Sequence, residues 1–302
     1  MSMTLSAEHL IYAMSANHPP ALHVPDGATI RVETCDCFEN QIVRADQDFG
    51  SLDWDRINPA SGPIFVDGAL PGDQLLIEIL AIEVADHGVM TTGPGLGVLG
   101  DELAQNAIRI VPIVAGQVHL SDTVHVPVQP MIGVIGTAPS PDVGPVSCGT
   151  PGEHGGNMDC KRIASGATLL LPVNVAGALL ALGDLHATMG DGEVAVCGVE
   201  VAGSVTVRIR VLKGGAWPVP LVFDDQRVST IASAKLLDDA ATSAVHRMVR
   251  LLETECGLDT ASASFILTAA GDLRVCQVVD PLKTARMELP LTVARQLGLT
   301  LP

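Results

Sequence analysis

The sequence predicts a mainly β protein, with a sandwich- or barrel-like body that carries a smaller C-terminal α+β element. Three observations support this prediction. Glycine and proline make up 50 of 302 residues (30 Gly and 20 Pro), spread along the chain as many turns. Short apolar runs recur between Gly-Asp and Pro-Gly steps, which is typical of a sandwich or barrel. Helical spacing of apolar residues begins only after about Asp225.

The amino-terminal half is predicted to consist of strands and loops. Residues 51–63 are predicted as a loop, because two X-Pro steps disfavour helix. The Gly-rich residues 90–100 lack the Gly-Lys-Ser/Thr ending of a phosphate-binding loop, so we interpret them as a flexible loop. Strands are predicted at residues 28–37, 64–66, 75–84, 107–112, 116–126 and 133–139.

Residues 155–200 are the centre of the predicted organisation. Two loops rich in Gly and acidic residues, 155–161 and 183–193, bracket the apolar residues 169–180. We interpret the bracketed part as buried strands and the loops as their ends. Beyond it, apolar side chains alternate with Thr and Arg over residues 205–211, which predicts a half-buried strand.

The chain is predicted to divide into a β-rich catalytic body, 1–225, and an α+β element, 226–302, of two helices and a hairpin packed on the body. Apolar spacing predicts a helix within residues 231–256, with Gly257 as its stop. Asp259 or Thr260 can cap a second, shorter helix. Residues 265–267 and 274–279 are predicted to pair as the hairpin.

Charge and composition exclude several kinds of partner. A net charge of −17 disfavours nucleic acids and anionic membrane surfaces, so we expect neither as a partner. The first residues lack the pattern of a secretory signal, and seven cysteines without regular spacing fit a reducing compartment. We therefore expect a cytoplasmic protein. Apolar edge strands lead us to expect a homodimer.

Six ionisable residues that suit catalysis lie within 42 positions: Asp159, Asp184, His186, Asp191, Glu193 and Glu200. Buried acids need water, a cation or hydrogen-bond donors. Asp159, His186 and Glu193 supply the ligand types of a catalytic zinc site, and zinc with an open position can activate water against a carbonyl. Neutralisation by Lys161 and Arg162 is the structural alternative.

Two motifs carry a resemblance to a known family. His-Gly-Gly-Asn-Met-Asp at 154–159 and Gly-Asp-Leu-His-Ala-Thr-Met-Gly-Asp-Gly-Glu at 183–193 resemble the acetamidase/formamidase family. Further similar segments span nearly the whole chain in order: 34–42, 58–71, 133–139, 171–173, Glu200 and 277–281. The resemblance implies a mostly β fold and hydrolysis of formamide, acetamide or a similar short amide to the acid and ammonia. It also implies a divalent metal, Zn²⁺ or alternatively Ca²⁺.

The resemblance also implies roles for individual residues. Asp159 and His186 are the first metal ligands and Asp36 the third, while Glu193 is a general base or acid with metal ligation as its alternative. Asp191 is the second catalytic residue. The other implied roles are substrate contacts from His154, Gly155, Gly156 and Asn157, and support of the ligands by Asp184 and Glu200.

Two other functions stay open at this point. Cys160 lies beside Asp159 and is a candidate thiolate nucleophile for an amide. The chain is alternatively a metal-binding β domain of the same fold without activity.

Overall fold

The structure, a computed structural model, describes residues 3–302 and is built mainly of strands. In chain order the strands are β1 Met3–Leu5, β2 Leu10–Ile11, β3 Ala13–Met14, β4 Leu22–Val24, β5 Thr29–Thr34, β6 Ala60–Val66, β7 Gln74–Val84, β8 His87–Thr92, β9 Ala107–Val114, β10 Gln117–His119, β11 His125–Pro127, β12 Met131–Gly136, β13 Val146–Ser147, β14 Gly155–Asn157, β15 Thr168–Pro172, β16 Leu180–His186, β17 Glu200–Val201, β18 Gly203–Leu212, β19 Leu221–Phe223, β20 Arg227–Ala234, β21 Asp272–Gln277 and β22 Lys283–Pro290. The helices are α1 Leu237–Cys256, α2 Thr260–Ala270 and α3 Leu291–Gln296.

Two large sheets form the architecture. The first has nine strands in the order β1-β5-β18-β7-β15-β19-β20-β22-β21. The second has eleven strands, with the path β11-β10-β9-β8-β17-β16-β12-β14 and with β6 joining β16 to β2 and β4. Most neighbours are antiparallel, which suits the short turns of this Gly- and Pro-rich chain.

The main hydrophobic core joins the two sheets. One buried cluster contains Val32, Ile77 and Val205 from the first sheet and Ile132 and Leu182 from the second. It consists almost entirely of aliphatic side chains, as an aromatic content of 3% requires. The predicted mainly β fold is confirmed.

The C-terminal part continues the first sheet. The proposed boundary at 225/226 falls between β19 and β20, which pair with each other, so β20 to β22 extend the sheet of the body. Helix α1 packs Met248, Leu251 and Leu252 into a second core that also contains residues of this sheet. It ends at Gly257, which has the left-handed φ of 68° that favours glycine.

Helix α2 contains an apolar run that was predicted as a strand. Residues 265–267 lie in α2 and not in a hairpin strand, so that prediction is wrong. The Asp259 carboxylate accepts a hydrogen bond from the Ser262 N–H and fixes the start of the helix, as the capping pattern predicted. The hairpin is instead formed by β21 and β22.

Other element boundaries also need correction. The helix predicted within 231–256 begins at Leu237, because residues up to Ala234 belong to strand β20. The loop predicted at 51–63 ends at Asn58–Pro59, since β6 begins at Ala60. The strand predicted over 116–126 is the hairpin β10–β11. Among residues 3–302, no helix has the length and hydropathy needed to cross a bilayer.

Candidate active site

The centre of the site is built on paired strands. Asp184 and His186 lie on β16 and not in a loop as predicted, and side chains two apart on a strand share a face. Strand β17 places Glu200 directly opposite His186 in the antiparallel register. An imidazole and two carboxyls are therefore fixed by backbone pairing.

Asp159 and Glu193 reach the same place from loops. Asp159 follows β14, which pairs with β12, and β12 also pairs with β16. The loop that carries Glu193 is held by Gly192, whose N–H donates to the Cys276 carbonyl at 2.8 Å. Gly192 also forms an isolated bridge with Gln277, at the end of β21. Residues 276–277 of the C-terminal part therefore help to position Glu193.

Three side chains converge as possible ligands. Asp159, His186 and Glu193 each offer one ligand atom, and these atoms all lie within 4.8 Å of one another. The Nε2 atom of His186 is 3.7 Å from Asp159 Oδ1 and 3.8 Å from Glu193 Oε1. The sequence predicts the ligand types of a zinc site from all three residues, with ligation as the alternative to a general acid or base role for Glu193, and their ligand atoms lie together.

The same imidazole faces two more carboxyls. His186 Nε2 lies 3.1 Å from Glu200 Oε1 and 3.5 Å from Asp184 Oδ1. Asp184 and Glu200 also form a second possible ligand group with Cys37, again with ligand atoms within 4.8 Å. The two groups meet at His186.

Many polar atoms at this centre lack a partner. Both oxygens of Asp159, both ring nitrogens of His186 and one oxygen each of Asp184, Glu193 and Glu200 are buried without a hydrogen bond in the described chain. Unsatisfied buried polar atoms cost free energy, and carboxylates cost the most. Such a set of oxygen and nitrogen donors fits a bound divalent cation.

The backbone is strained at three of the acids. Asp159, Asp184 and Glu193 have φ values of 43°, 53° and 49°, in the left-handed region that non-glycine residues rarely adopt. Strain of this kind costs of order 1 kcal/mol or more per residue and concentrates at functional sites. The three carboxyls are therefore held in place by the surrounding fold.

Two glycines give the acids and the imidazole their space. A Cβ on Gly133 of β12 would lie 2.5 Å from Asp159 Oδ1 and 2.5 Å from Asp184 Oδ2. A Cβ on Gly198 would lie 2.5 Å from His186 Nδ1. Any larger residue at either position would displace a member of the centre.

Burial and mutual repulsion change the pKa values of these groups. Burial, reinforced by neighbouring carboxyls, raises the pKa of Asp159 and of Glu193 well above the usual range. Burial raises the pKa of Glu200 to about 8, against the attraction of His186. Burial lowers the pKa of His186, but Glu200 and Asp184 outweigh it, so that its pKa lies well above its usual value. The centre therefore contains more carboxyls than one imidazolium could balance if all of them were ionised.

Asp191 lies outside both ligand groups. Its carboxylate accepts two hydrogen bonds from Arg286, at 2.8 and 2.9 Å, and lies 3.1 Å from Lys161 Nζ. Arg286 also donates to Glu288 at 2.7 Å. Asp191 is thus committed to a bidentate salt bridge that ties the loop to β22.

Asp36 is likewise absent from both groups found within residues 3–302. Its Oδ1 accepts hydrogen bonds from the N–H of Asn40 at 2.7 Å and of Phe38 at 3.0 Å. The side chain therefore closes a turn after β5. The neighbouring Cys37 belongs to the second ligand group instead.

Of the residues implied in substrate contact, Asn157 lies beside the centre. Asn157 donates to Asp280 Oδ2 at 3.0 Å, and its Oδ1 has no partner in the described residues. His154 is buried, which lowers its pKa to about 4. Gly155 and Gly156 have positive φ, and a Cβ on either would meet a backbone carbonyl within 2.4 Å. Packing within the protein therefore already requires glycine at these two positions.

Asp280 also lies at the centre, although no role is predicted for it within the similar segment 277–281. Its carboxyl faces Asp159 and Glu193, and burial together with Glu193 raises its pKa well above the usual range. Gln277 Oε1 accepts from the N–H groups of Val279 and Asp280, which fixes the loop. The sequence offers only one sign of this role, an acidic residue without an assigned function at position 280, far from the central motifs.

Cys160 is fully buried beside Cys276 and Arg286. A cavity beside Glu193 is lined by residues that do not include Cys160. A nucleophilic thiol needs access to substrate, and the geometry gives Cys160 none.

Fold and site together define a two-sheet β protein with a buried carboxylate–imidazole centre. A family model described as the Acetamidase/Formamidase family matches residues 12–145 and 146–295. The chain is 29% identical to an acetamidase of Mycolicibacterium smegmatis, over 65% of this chain and 64% of that protein. It is 28% identical to a formamidase of Methylophilus methylotrophus, over 65% of this chain and 62% of that protein.

A crystal structure of an acetamidase from Bacillus halodurans matches with a TM-score of 0.96 and 48% identity, over 98% of this chain and 100% of that one. The chain belongs to the acetamidase/formamidase family, which confirms the resemblance of the motifs. It spans less than two thirds of the length of the two curated relatives, 64% and 62%.

Proposed function

We propose that the chain hydrolyses a short linear amide to a carboxylic acid and ammonia, with a divalent metal held by Asp159, His186 and Glu193. The observation that carries this proposal is the convergence of three buried ligand atoms within 4.8 Å. The relatives named acetamidase and formamidase support an amide substrate. A set of one nitrogen and two oxygens favours Zn²⁺ over Ca²⁺, which prefers oxygen ligands alone.

The charge of the centre supports a cation. Five carboxyls lie together here: Asp159, Asp184, Glu193, Glu200 and Asp280. In residues 3–302, none of the five forms a salt bridge with Lys or Arg. His186 is the cationic partner of Asp159, Asp184, Glu193 and Glu200. When bound, a divalent ion acts as a Lewis acid that polarises a carbonyl and activates water.

Glu193 is the residue best placed to move a proton. It lines the cavity beside the centre, so it contacts both the ligand group and the space for substrate. Its Oε1 faces His186, whereas Oε2 is buried without a partner in the described chain. We assign Oε2 to accept a proton from water and to return it to the leaving nitrogen, a role worth about 10²–10⁴ in rate.

The other acidic residues orient the proposed ligands and the Glu193 loop. Glu200 holds the ring of His186 from the paired position on β17, and Asp184 holds it from two residues earlier on β16. Asp280 and Asn157 form a hydrogen-bonded pair beside Asp159. We propose that Asp191 positions the Glu193 loop through Arg286, and that Asp36 supports Cys37 and its turn, in place of the catalytic and ligand roles first expected of them.

The test is ammonia release from formamide, acetamide and propionamide by the purified full chain. Glu193→Gln keeps the shape of the side chain and removes its basicity, so we expect a loss of at least about 100-fold in kcat. Glu102→Gln, an exposed residue on a short 3₁₀ turn, is the matched control and should behave as wild type.

Near wild-type turnover by Glu193→Gln would contradict the assigned role. Bound metal without ammonia release from any of the amides would support the non-catalytic alternative. Sensitivity to iodoacetamide without sensitivity to a chelator would support Cys160. A homodimer and a cytoplasmic location stay predictions from the sequence.

A further inference from the structure

A cavity of about 470 Å³ opens beside Glu193. Gly198, which also lines it, packs against the ring of His186. The inner end of the cavity therefore reaches the centre. Most of the wall is apolar, formed by Met90, Leu120, Val126, Met189 and Val199.

The apolar wall comes from separate elements that the fold brings together. Met90 lies on β8, and Val199 immediately precedes β17, the neighbour of β8. The hairpin β10–β11 supplies Leu120 and Val126. The charged residues of the lining other than Glu193 are Lys161 and Asp191, which form a salt bridge with each other at 3.1 Å.

This cavity is larger and more apolar than the smallest amides require. Cavities of about 300–1,000 Å³ accommodate drug-sized molecules, whereas acetamide contains only about four non-hydrogen atoms. A formyl or acetyl group placed at Glu193 would leave most of the apolar wall in contact with water. Aliphatic side chains without a free charge or an aromatic platform suit a flexible hydrocarbon chain.

We infer that this cavity is an acyl subsite, and that the preferred substrates are linear aliphatic amides with acyl chains longer than acetyl, of about four to six carbons. This inference rests on the proposed amide hydrolysis. The carboxamide group lies at Glu193, and the acyl chain extends outward between Met90, Leu120 and Val126. Each methylene that enters the apolar wall should increase kcat/KM about fourfold.

The experiment measures kcat/KM for acetamide, propionamide, butyramide and hexanamide by ammonia release from the full chain. For the wild type we expect a rise along the series, with hexanamide at least tenfold better than acetamide. Leu120→Trp fills the outer cavity, so the hexanamide-to-acetamide ratio should fall at least tenfold. Val124→Trp is the matched control on the same hairpin, because Val124 is exposed and does not line the cavity; its ratio should match wild type.

Val126→Thr keeps the shape of the side chain and adds a hydroxyl to the wall. It should also lower the ratio, by about three- to tenfold, and it keeps the test decisive if Leu120→Trp does not fold. A flat or falling series with good turnover of acetamide would overturn the subsite and leave the proposed function intact. Failure to release ammonia from any amide would overturn both.

Discussion

The imidazole of His186 and the carboxylate of Glu200 face each other across paired strands, with Nε2 3.1 Å from Oε1. Strand pairing and not loop conformation brings these two side chains together. Asp159 and Glu193 approach the same nitrogen from two loops. A site built on strands in this way is held more precisely than one built on loops alone.

Gly133→Ala should disable the centre without touching a charged residue. The added Cβ would lie 2.5 Å from an oxygen of each of Asp159 and Asp184, so both carboxyls must move. We expect metal content and ammonia release to fall at least tenfold, with a stability loss of about 1–3 kcal/mol. Elemental analysis and ammonia release check this.

The control for that variant is Gly190→Ala. A Cβ on Gly190 meets no heavy atom within 4 Å, and its φ lies outside the left-handed region. This control should keep wild-type metal content. The steric explanation fails if Gly133→Ala keeps both metal and activity.

Arg286→Met should destabilise the fold strongly. Arg286 is 1% exposed and donates to Asp191 and Glu288, so its loss leaves two carboxyls without their main partner. Breaking a buried ion pair at one end costs about 3–5 kcal/mol. Urea unfolding measures this, with Arg44→Met as the control, since the Arg44 side chain is 69% exposed and should contribute less than about 1 kcal/mol. A cost below about 1 kcal/mol for Arg286→Met would contradict the assigned importance of the network.

Buried His154 should make the protein less stable in acid. Burial lowers its pKa from 6.5 to about 4, so between these values the unfolded chain binds a proton that the folded chain does not. Stability must therefore fall as pH decreases from about 6.5 to 4, by up to about 3 kcal/mol. The free energy of unfolding is measured across this range for the wild type and for His154→Gln.

The informative quantity is the difference between the two curves, because other groups titrate in both proteins. We expect the wild type to lose stability relative to His154→Gln as the pH falls. A difference that is constant with pH would show that His154 is not buried in its neutral form.

Hydrophobic periodicity predicted the class of fold. It did not distinguish helix from strand in short segments, where tertiary contacts determine the secondary structure. Strand β18 was predicted correctly because its residues alternate between a buried face and a face turned toward solvent. Three apolar residues at 265–267 are too few to show a helical or a strand period. The capping residue Asp259 was the better indicator of a helix. Residues 231–234 continue an apolar pattern into α1, yet they pair with β22.

The candidate site was predictable where its residues lie close in sequence. Asp159, His186 and Glu193 come from two adjacent motifs, and the structure brings them together. Asp280 could not be placed from spacing, because it reaches the centre only through the β21–β22 turn and the bridge between Gly192 and Gln277. The capture of Asp191 by Arg286 depends on a residue 95 positions away, which no local pattern reveals.

The most direct test of the central claim is elemental analysis of the purified chain together with His186→Ala and Asp191→Asn. We predict a stoichiometric divalent metal in the wild type and in Asp191→Asn. We expect His186→Ala to lose both the metal and the release of ammonia from acetamide. A wild-type protein that hydrolyses acetamide at full rate after chelation, with no divalent metal bound, would contradict the account.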